Sequence, residues 1–567
     1  MALDSNNINF TRTLSKVFDI LRLKKKEIFA IYFFALMYGL LQLTIPLGIQ
    51  SIVNFILAYT FSTSLWLLIA LVVLGVAISG GLQVTQMKII ERVNQKIFTR
   101  FSLEYTHHIP RIDMKSVDQE YLPEMVNRFF DTVSLQKGLT KFFLDIPVAS
   151  IQIVFGLILL SFYSYFFIVF GLLLLIVIII LMYVTSKKGL STSIEESDCK
   201  YGVASWLEEM ARSVKTFKYS AGTALHLKKS DKLLSSYLSV RTEHFNVLLI
   251  QYWALIFFKV FTTAFMLGVG AYLAINNLIN IGQFVAAEIV IIMIMNSVEK
   301  FIFNLDNIYD TLTSVEKLSK LLEKPEEKSG NIAFPVSPIG PAIKVSELSF
   351  SFDGKNNILQ DISFSIPKGS TVCIRGAEGS GKSILLRLLS GSYSDFAGSV
   401  SIENVPVNNY DLKSLRKNTC IILNEQEIFD GTLIENITLG SEDISFNHLN
   451  ELTTRFGFQH SFNALPGGYE TRLDATGRRL SKSLAQKILL LRALVHNSSL
   501  LLLEDPWSVL KDSSKKQVQD YLLNHTTATV VVATNDLAFA ARCNYVIELN
   551  EGKLVNAGTA KEVFGVG

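Results

Sequence analysis

STVCIRGAEGSGKSILLRLLSG, residues 370–391, decides how the second half of this chain folds. An apolar run with β-branched residues leads into a glycine-rich turn, and a leucine-rich helical repeat follows. Within it, Gly376, Gly381, Lys382 and Ser383 complete the phosphate-loop pattern G-x-x-x-x-G-K-S. Gly376, Gly379 and Gly381 let backbone N–H groups approach phosphate oxygens, with Glu378 and Ser380 between them in the cradle. Lys382 is placed to reach the β/γ-phosphates and Ser383 to ligate Mg²⁺, and the helix N-terminus adds its dipole. Strand, loop and helix in this order predict ATP binding; a purely structural glycine turn does not need the full motif.

The chain is 567 residues long, too long for one domain, and its hydrophobicity is uneven. Nearly all long apolar runs fall in the first 300 residues or so, and the rest reads as a soluble α/β domain. With 53 Lys and Arg against 50 Asp and Glu, the net charge of +3 is too mild to point to nucleic acid. Cys199, Cys373, Cys420 and Cys543 lack C-x-x-C spacing and read as reduced thiols, neither a metal site nor a disulfide framework. The polar start ahead of the Arg22–Lys26 cluster does not read as a signal peptide.

A spanning helix needs about 20 mainly apolar residues. Six stretches qualify: 28–57, 64–85, 142–163, 165–185, 249–275 and 281–303. Short connections at 58–63, 163–165 and 276–280 alternate with long polar ones at 86–141 and 186–248. Lys24–Lys26, Arg92, Lys96, Arg100, Lys187 and Lys188 fall on one side when the N-terminus is cytoplasmic, and six spans then return the C-terminal domain to the ATP-containing side. QMKIIERVNQKIFTRFSLEY (86–105) extends the second span with amphipathic spacing, so the helices are predicted to project beyond the bilayer. Their tips, near Asp113–Tyr121 and Phe217–Thr223, are placed to touch the soluble domain.

Lys259 and Glu288 interrupt apolar runs, which marks them as polar points on a translocation path; Lys259 also suits snorkelling toward the inner interface. They lie about 24 Å and about 11 Å from the outer ends of their helices, at depths that do not pair. The expected segments are a cytoplasmic start (1–27), a transmembrane domain (28–322), a proline-containing linker (323–341) and a nucleotide-binding domain (342–567).

Downstream of the phosphate loop stand IFDGTLIENI (428–437), LPGGYETRL (465–473), LSKSLAQKILLLRAL (480–494), LLLLEDPWSVL (500–510) and TVVVATND (529–536). In order and spacing these resemble the nucleotide-binding domain of ABC exporters, and with the six spans the resemblance covers nearly the whole chain. It implies an all-α six-helix transmembrane domain with long cytoplasmic extensions, joined to an α/β P-loop domain. It implies that Phe352 in LSFSF stacks on adenine. IPLGIQSIVNFIL (45–57) and IGQFVAAE (281–288) resemble type I secretion exporters for toxins and bacteriocins, although residues 1–27 are too few for the leader-cutting peptidase domain found in bacteriocin exporters.

Five departures from the family pattern cluster on hydrolysis. The family signature Leu-Ser-Gly-Gly-Gln reads Leu480, Ser481, Lys482, Ser483, Leu484, so side chains stand where bare backbone should approach the phosphate of the opposite subunit's ATP. Ser481 remains, and Lys482 offers a cation there. The Asp-Glu pair that holds Mg²⁺ and polarises the attacking water is reversed as Glu504 and Asp505. One methylene moves each carboxylate by about 1.5 Å, and a misplacement of about 1 Å can cost 10²-fold. The glutamine that contacts Mg²⁺ aligns with Asn424, the switch histidine is Asn535, and the aspartate that ends the loop after the carboxylates is Lys511.

The resemblance therefore implies a half-transporter that needs a second half, identical or different, and ATP with Mg²⁺, and that hydrolyses slowly while moving a peptide- or protein-type substrate across a bacterial inner membrane. Membrane lipid surrounds it, and a periplasmic adaptor is a further expected partner. The competing reading is an ATP-gated regulatory or structural subunit that switches without turnover, or the degenerate half of a heterodimer.

Overall fold

The computed structural model describes residues 15–16, 25–59, 63–118, 120–219, 222–423, 428–474 and 480–565. They form two compact units, one of described residues up to Pro110 with Tyr121–Lys324, the other of Arg111–Glu120 with residues from Pro325 onward.

The first unit is helical. Its long elements are α1 (Lys25–Gln42), α2 (Thr44–Leu57), α3 (Thr63–His108), α4 (Asp131–Ser161), α5 (Tyr165–Arg212), α6 (Leu225–Ile275), α7 (Ile281–Phe303) and α8 (Leu305–Leu322). Six stretches of them are long and apolar enough to cross a membrane. The first span is broken at Leu43 because Pro46 has no N–H to offer Gln42, and Thr44 Oγ1 donates to Leu41 O at 2.6 Å. α3, α5 and α6 run 46, 48 and 51 residues. At 1.5 Å per residue each exceeds about 65 Å, twice a hydrocarbon core, so the projecting extensions expected from residues 86–105 are present. α7 starts at a reciprocal cap, with Asn280 accepting from Gln283 N at 2.7 Å and Gln283 accepting from Asn280 N at 2.9 Å. Ala287, Val290, Ile291, Ile294 and Val298 form its buried stripe, packed with Phe167, Leu255, Phe258 and Met266.

The second unit is α/β. Its strands are β1 (Ile343–Phe350), β2 (Leu359–Ile366), β3 (Thr371–Gly376), β4 (Ala397–Ile402), β5 (Val405–Pro406) and β6 (Thr419–Ile422). They continue as β7 (Gly431–Thr432), β8 (Arg472–Leu473), β9 (Leu500–Glu504), β10 (Thr529–Ala533), β11 (Tyr545–Asn550) and β12 (Lys553–Thr559). An antiparallel sheet runs β2-β1-β4-β5, and a larger sheet runs β12-β11-β3-β10-β9-β6, parallel from β11 to β6. LLLL and VVVA in β9 and β10 are buried throughout, as central parallel strands covered on both faces must be. Helices α9 (Lys382–Leu389), α10 (Leu412–Asn418), α11 (Phe446–Arg455), α12 (Lys482–Leu494) and α13 (Asp512–Asn524) surround the sheets.

Candidate functional site

The parallel order β3-β10-β9 brings the C-terminal ends of three strands to one rim, the position where open α/β sheets bind ligands. β3 ends in the phosphate loop, β9 in Glu504 and Asp505, and β10 in Thr534 and Asn535. A cavity of about 600 Å³ lies there, lined by Glu378, Gly379, Ser380, Gly381, Lys382, Ser383, Glu504, Asp505 and Asn535. Residues more than 100 positions apart in the chain thus meet as the sequence motifs required.

Gly381 precedes α9 at φ 94°, and a Cβ there would stand 2.4 Å from Leu359 Cδ2, so both conformation and space demand glycine. The first turn of α9 leaves N–H groups without helical partners, ready for phosphate oxygens. Lys382 Nζ donates to Gly376 O and Ala377 O, both at 2.8 Å, so the ammonium closes the loop on itself. Ser383 Oγ donates to Glu504 Oε1. A hydroxyl beside a carboxylate supplies hard oxygen ligands, and the donor set fits Mg²⁺ completed by phosphate and water. Among the described residues there is no cluster of three or more His, Cys, Asp or Glu that would hold a metal unaided. Asn424 lies outside the described residues.

The wall formed by the turns after β9 and β10 is built differently. Asp505 sits at φ 36°, a left-handed conformation that Asp tolerates better than most residues but that still stores strain. Its N–H donates to Ala533 O at 2.9 Å, and its carbonyl accepts from Gln486 Nε2 at 2.9 Å. Gln486 Oε1 also accepts from Val509 N at 2.9 Å, so α12 clamps the turn after β9. Asn535 Oδ1 accepts from Gly376 N at 3.2 Å, which ties the turn after β10 to the phosphate loop. Beside it Asp536 pairs with Lys515 at 2.8 Å. Burial pushes the Asp536 pKa up, but Lys515 and the Phe539 N–H outweigh it and hold the carboxyl below its usual range.

Ser481 caps α12 by accepting from Leu484 N at 3.2 Å, and Lys482 follows it, exposed. Neither lines the cavity of its own chain. A cation at a helix N-terminus opposes the dipole, by about 0.3–1 kcal/mol at exposed sites, unless an anion comes to meet it. Phe352 is also outside the cavity lining. It packs edge-on against Phe350 at 5.0 Å and Tyr393 at 5.7 Å, leaving a half-buried ring.

Sequence reading passed over Arg387, which lines the cavity. It stands four residues after Ser383, on the same helix face, and that spacing was the available signal. Arg387 donates to Tyr393 Oη at 2.7 Å and to Asp118 Oδ1 at 3.4 Å, while Tyr393 Oη donates to Asp118 Oδ2 at 3.2 Å. Lys115 reaches Asp395 at 2.6 Å. The tip at Arg111–Glu120 is thus part of the ATP-domain unit. Of the other tip, residues 220–221 lie outside the described residues.

In the helical unit, Lys259 Nζ lies 2.8 Å from Glu299, a carboxylate the sequence reading did not single out. Glu299 lines a cavity of about 550 Å³ with Gln42, Gln152, Asn296 and Ser297, and Ser297 Oγ donates to Gln152 Oε1 at 2.7 Å. Glu288 Oε2 is buried without a hydrogen-bond partner among the described residues.

Residues 28–298 match the ABC transporter transmembrane region family, and residues 359–508 match the ABC transporter family. A probable ABC transporter ATP-binding/permease protein of Haemophilus influenzae is 32% identical over 277 residues, 48% of this chain and 50% of that protein. The lactococcin-G-processing and transport ATP-binding protein LagD of Lactococcus lactis is 22% identical over 477 residues, 83% of this chain and 67% of that protein. The chain spans about half the length of several curated relatives it matches. A solved bacterial Atm1-family ABC exporter with ATP bound has the same fold, with a TM-score of 0.84 at 17% identity over 95% of this chain and 96% of that one. In one polypeptide the chain thus joins a domain of the ABC transporter transmembrane region family to a domain of the ABC transporter family.

Proposed function

We propose that this chain is one half of a dimeric exporter that binds ATP with Mg²⁺ and hydrolyses it slowly, moving its substrate outward across a bacterial inner membrane. The observation that carries this reading is the contrast inside one cavity. The phosphate loop is complete from Gly376 to Ser383, whereas Glu504 engages Ser383, Asp505 stands at a strained turn and Asn535 is tied to Gly376. Ser383, Glu504 and Asn424 would hold Mg²⁺, which neutralises phosphate charge when bound. Phe352 receives the adenine; Ser481 and Lys482 serve the ATP of the second half, where an anion offsets the exposed Lys482 cation.

The domain limits 28–322, 323–341 and 342–567 and both cytoplasmic termini belong to this reading. Lys259 through Glu299, together with Glu288, marks the transport path. The substrate is a peptide or protein of the type I secretion kind, a reading favoured by the likeness to LagD, whose name describes processing and transport of lactococcin G. A periplasmic adaptor is a proposed partner. The ATPase rate of the purified chain, alone and with a candidate second half, tests the reading. Slow turnover alone that rises sharply with a distinct partner identifies a heterodimer. No turnover in either case, with ATP still bound, favours the ATP-gated regulatory subunit. Membrane-impermeant thiol labelling of Leu278→Cys and Asp118→Cys in intact cells tests the topology; labelling at 118 overturns it.

A further inference from the structure

A second cavity in the ATP-domain unit shares no lining residue with the nucleotide cavity. It measures about 940 Å³, near the top of the 300–1,000 Å³ range of small-molecule sites, and opens beside β6, the edge strand of the parallel sheet. Its wall is cationic. Lys413, Arg416 and Lys417 come from one face of α10, and Arg492 comes from the last turn of α12. Glu327 holds Arg416 at 2.6 Å, and Asp443, the one carboxylate in the lining, stands a loose 3.9 Å from Lys417. Arg492 offsets the negative end of the α12 dipole, while Asn436 orients its guanidinium by accepting from Nε at 2.7 Å.

A separate observation points to a ligand. Thr419 Oγ1, His448 Nε2 and His496 Nε2 are buried without hydrogen-bond partners among the described residues, and all three residues line this cavity. Thr419 is itself only 9% exposed. A buried polar atom left unsatisfied costs about 1–3 kcal/mol, so three at one cavity are a standing penalty that a bound molecule relieves. Rotation about their side-chain bonds would bring a hydroxyl and two imidazoles to the cavity as donors, and the lysines add charge. The complementary molecule is an acceptor-rich anion.

We propose that this cavity is a second anion site, for a small phosphorylated ligand, separate from the ATP cradle. The site abuts the C-terminal end of α12, the helix whose N-terminus bears Ser481 and Lys482, so an anion there acts on the same rigid element that serves the second ATP. The test is equilibrium dialysis of labelled pyrophosphate against the purified full chain in chelator, with wild type, Lys382→Ala, Lys413→Glu/Lys417→Glu and the milder Lys417→Gln. Wild type is expected to bind two pyrophosphates per chain. Lys382→Ala should lose at least tenfold affinity at one site only, and the charge-reversed pair should do so at the other, with Lys417→Gln weakening that second site a few-fold. ADP that displaces pyrophosphate from the second site names a nucleotide as its ligand, and ADP that does not names an inorganic phosphate. One pyrophosphate per chain in wild type, or two that survive charge reversal in a variant still melting as wild type, overturns the proposal. So does binding of polyglutamate in place of pyrophosphate, which would make the groove a protein-docking surface.

Discussion

The two walls of the nucleotide cavity have been held to different standards. On one wall every backbone requirement of a phosphate cradle is met, down to Gly381 at φ 94° against Leu359. On the other, Glu504, Asp505 and Asn535, which the proposed function takes as altered hydrolytic positions, stand on a scaffold in good order. Gln486 clamps the turn after β9 from two directions, and Asp536 caps the helix start beside Asn535. A site that had merely decayed would lose scaffold and chemistry together. Here the turn that carries Asp505 is built, and on the proposed reading only the reacting side chains differ. On that reading binding and hydrolysis are separable demands on one fold, since only transition-state contacts accelerate chemistry.

The largest expected effect sharpens that contrast directly. Restoring the family pattern with Glu504→Asp, Asp505→Glu, Lys482→Gly, Ser483→Gly and Asn535→His together should raise steady-state ATPase turnover by about 10²–10⁴-fold, since losses in one catalytic unit do not multiply. A wild-type turnover already near ~1 s⁻¹, within the ordinary enzyme range, would break the comparison and make Lys482 and Asp505 working substitutes. Next in size, Lys382→Ala should weaken fluorescent-nucleotide binding about 10–100-fold, the worth of hydrogen bonds to a charged group at roughly 1.5–3 kcal/mol. Unchanged affinity would mean that the intact wall is not the binding wall.

Gly381→Ala forces a Cβ toward Leu359 in a left-handed conformation, with a penalty of order 1–3 kcal/mol, visible as a lower melting temperature and weaker nucleotide protection. The smallest effect concerns Asp536. Its pKa is held low in the folded state, so its contribution is fully present above the unfolded value of about 3.9 and is lost as pH falls through the folded value. Melting temperature should therefore be insensitive to this pair between pH 5 and 8, and Asp536→Asn should flatten part of the decline below about pH 4 at a cost of up to ~1 kcal/mol. An equal loss across the whole pH range would assign Asp536 to capping alone.

Much of this molecule could be read before any coordinates. Apolar length placed six spans, because a bilayer admits few alternatives to a helix of about 20 residues. The amphipathic run at 86–105 announced that α3 continues past its apolar part, and it does so to His108. The phosphate loop was legible because its chemistry is local: strand, turn and helix start lie within about a dozen consecutive residues. Lys259 shows where reading along the chain stops. Depth arithmetic ruled out Glu288 as its partner but could not supply Glu299, which is brought there by the packing of α6 with α7. Arg387 is similar, for its role beside Tyr393 and Asp118 depends on a loop that folds back from 269 residues away.

By itself, then, the sequence determined the membrane-spanning half and the ATP cradle, since each rests on period, composition or adjacency along the backbone, whereas the altered hydrolytic residues were expected only from the resemblance to ABC exporters. Only the tertiary structure decided which acid meets Ser383, that Asn535 bonds Gly376 and that Gln486 grips both sides of the turn at Asp505. It also decided that Thr419 Oγ1, His448 Nε2 and His496 Nε2, without hydrogen-bond partners among the described residues, belong to side chains gathered around a basic cavity. These are contacts between distant segments, and side-chain bonds of this kind exist only after strand order and helix packing have fixed which residues share a rim.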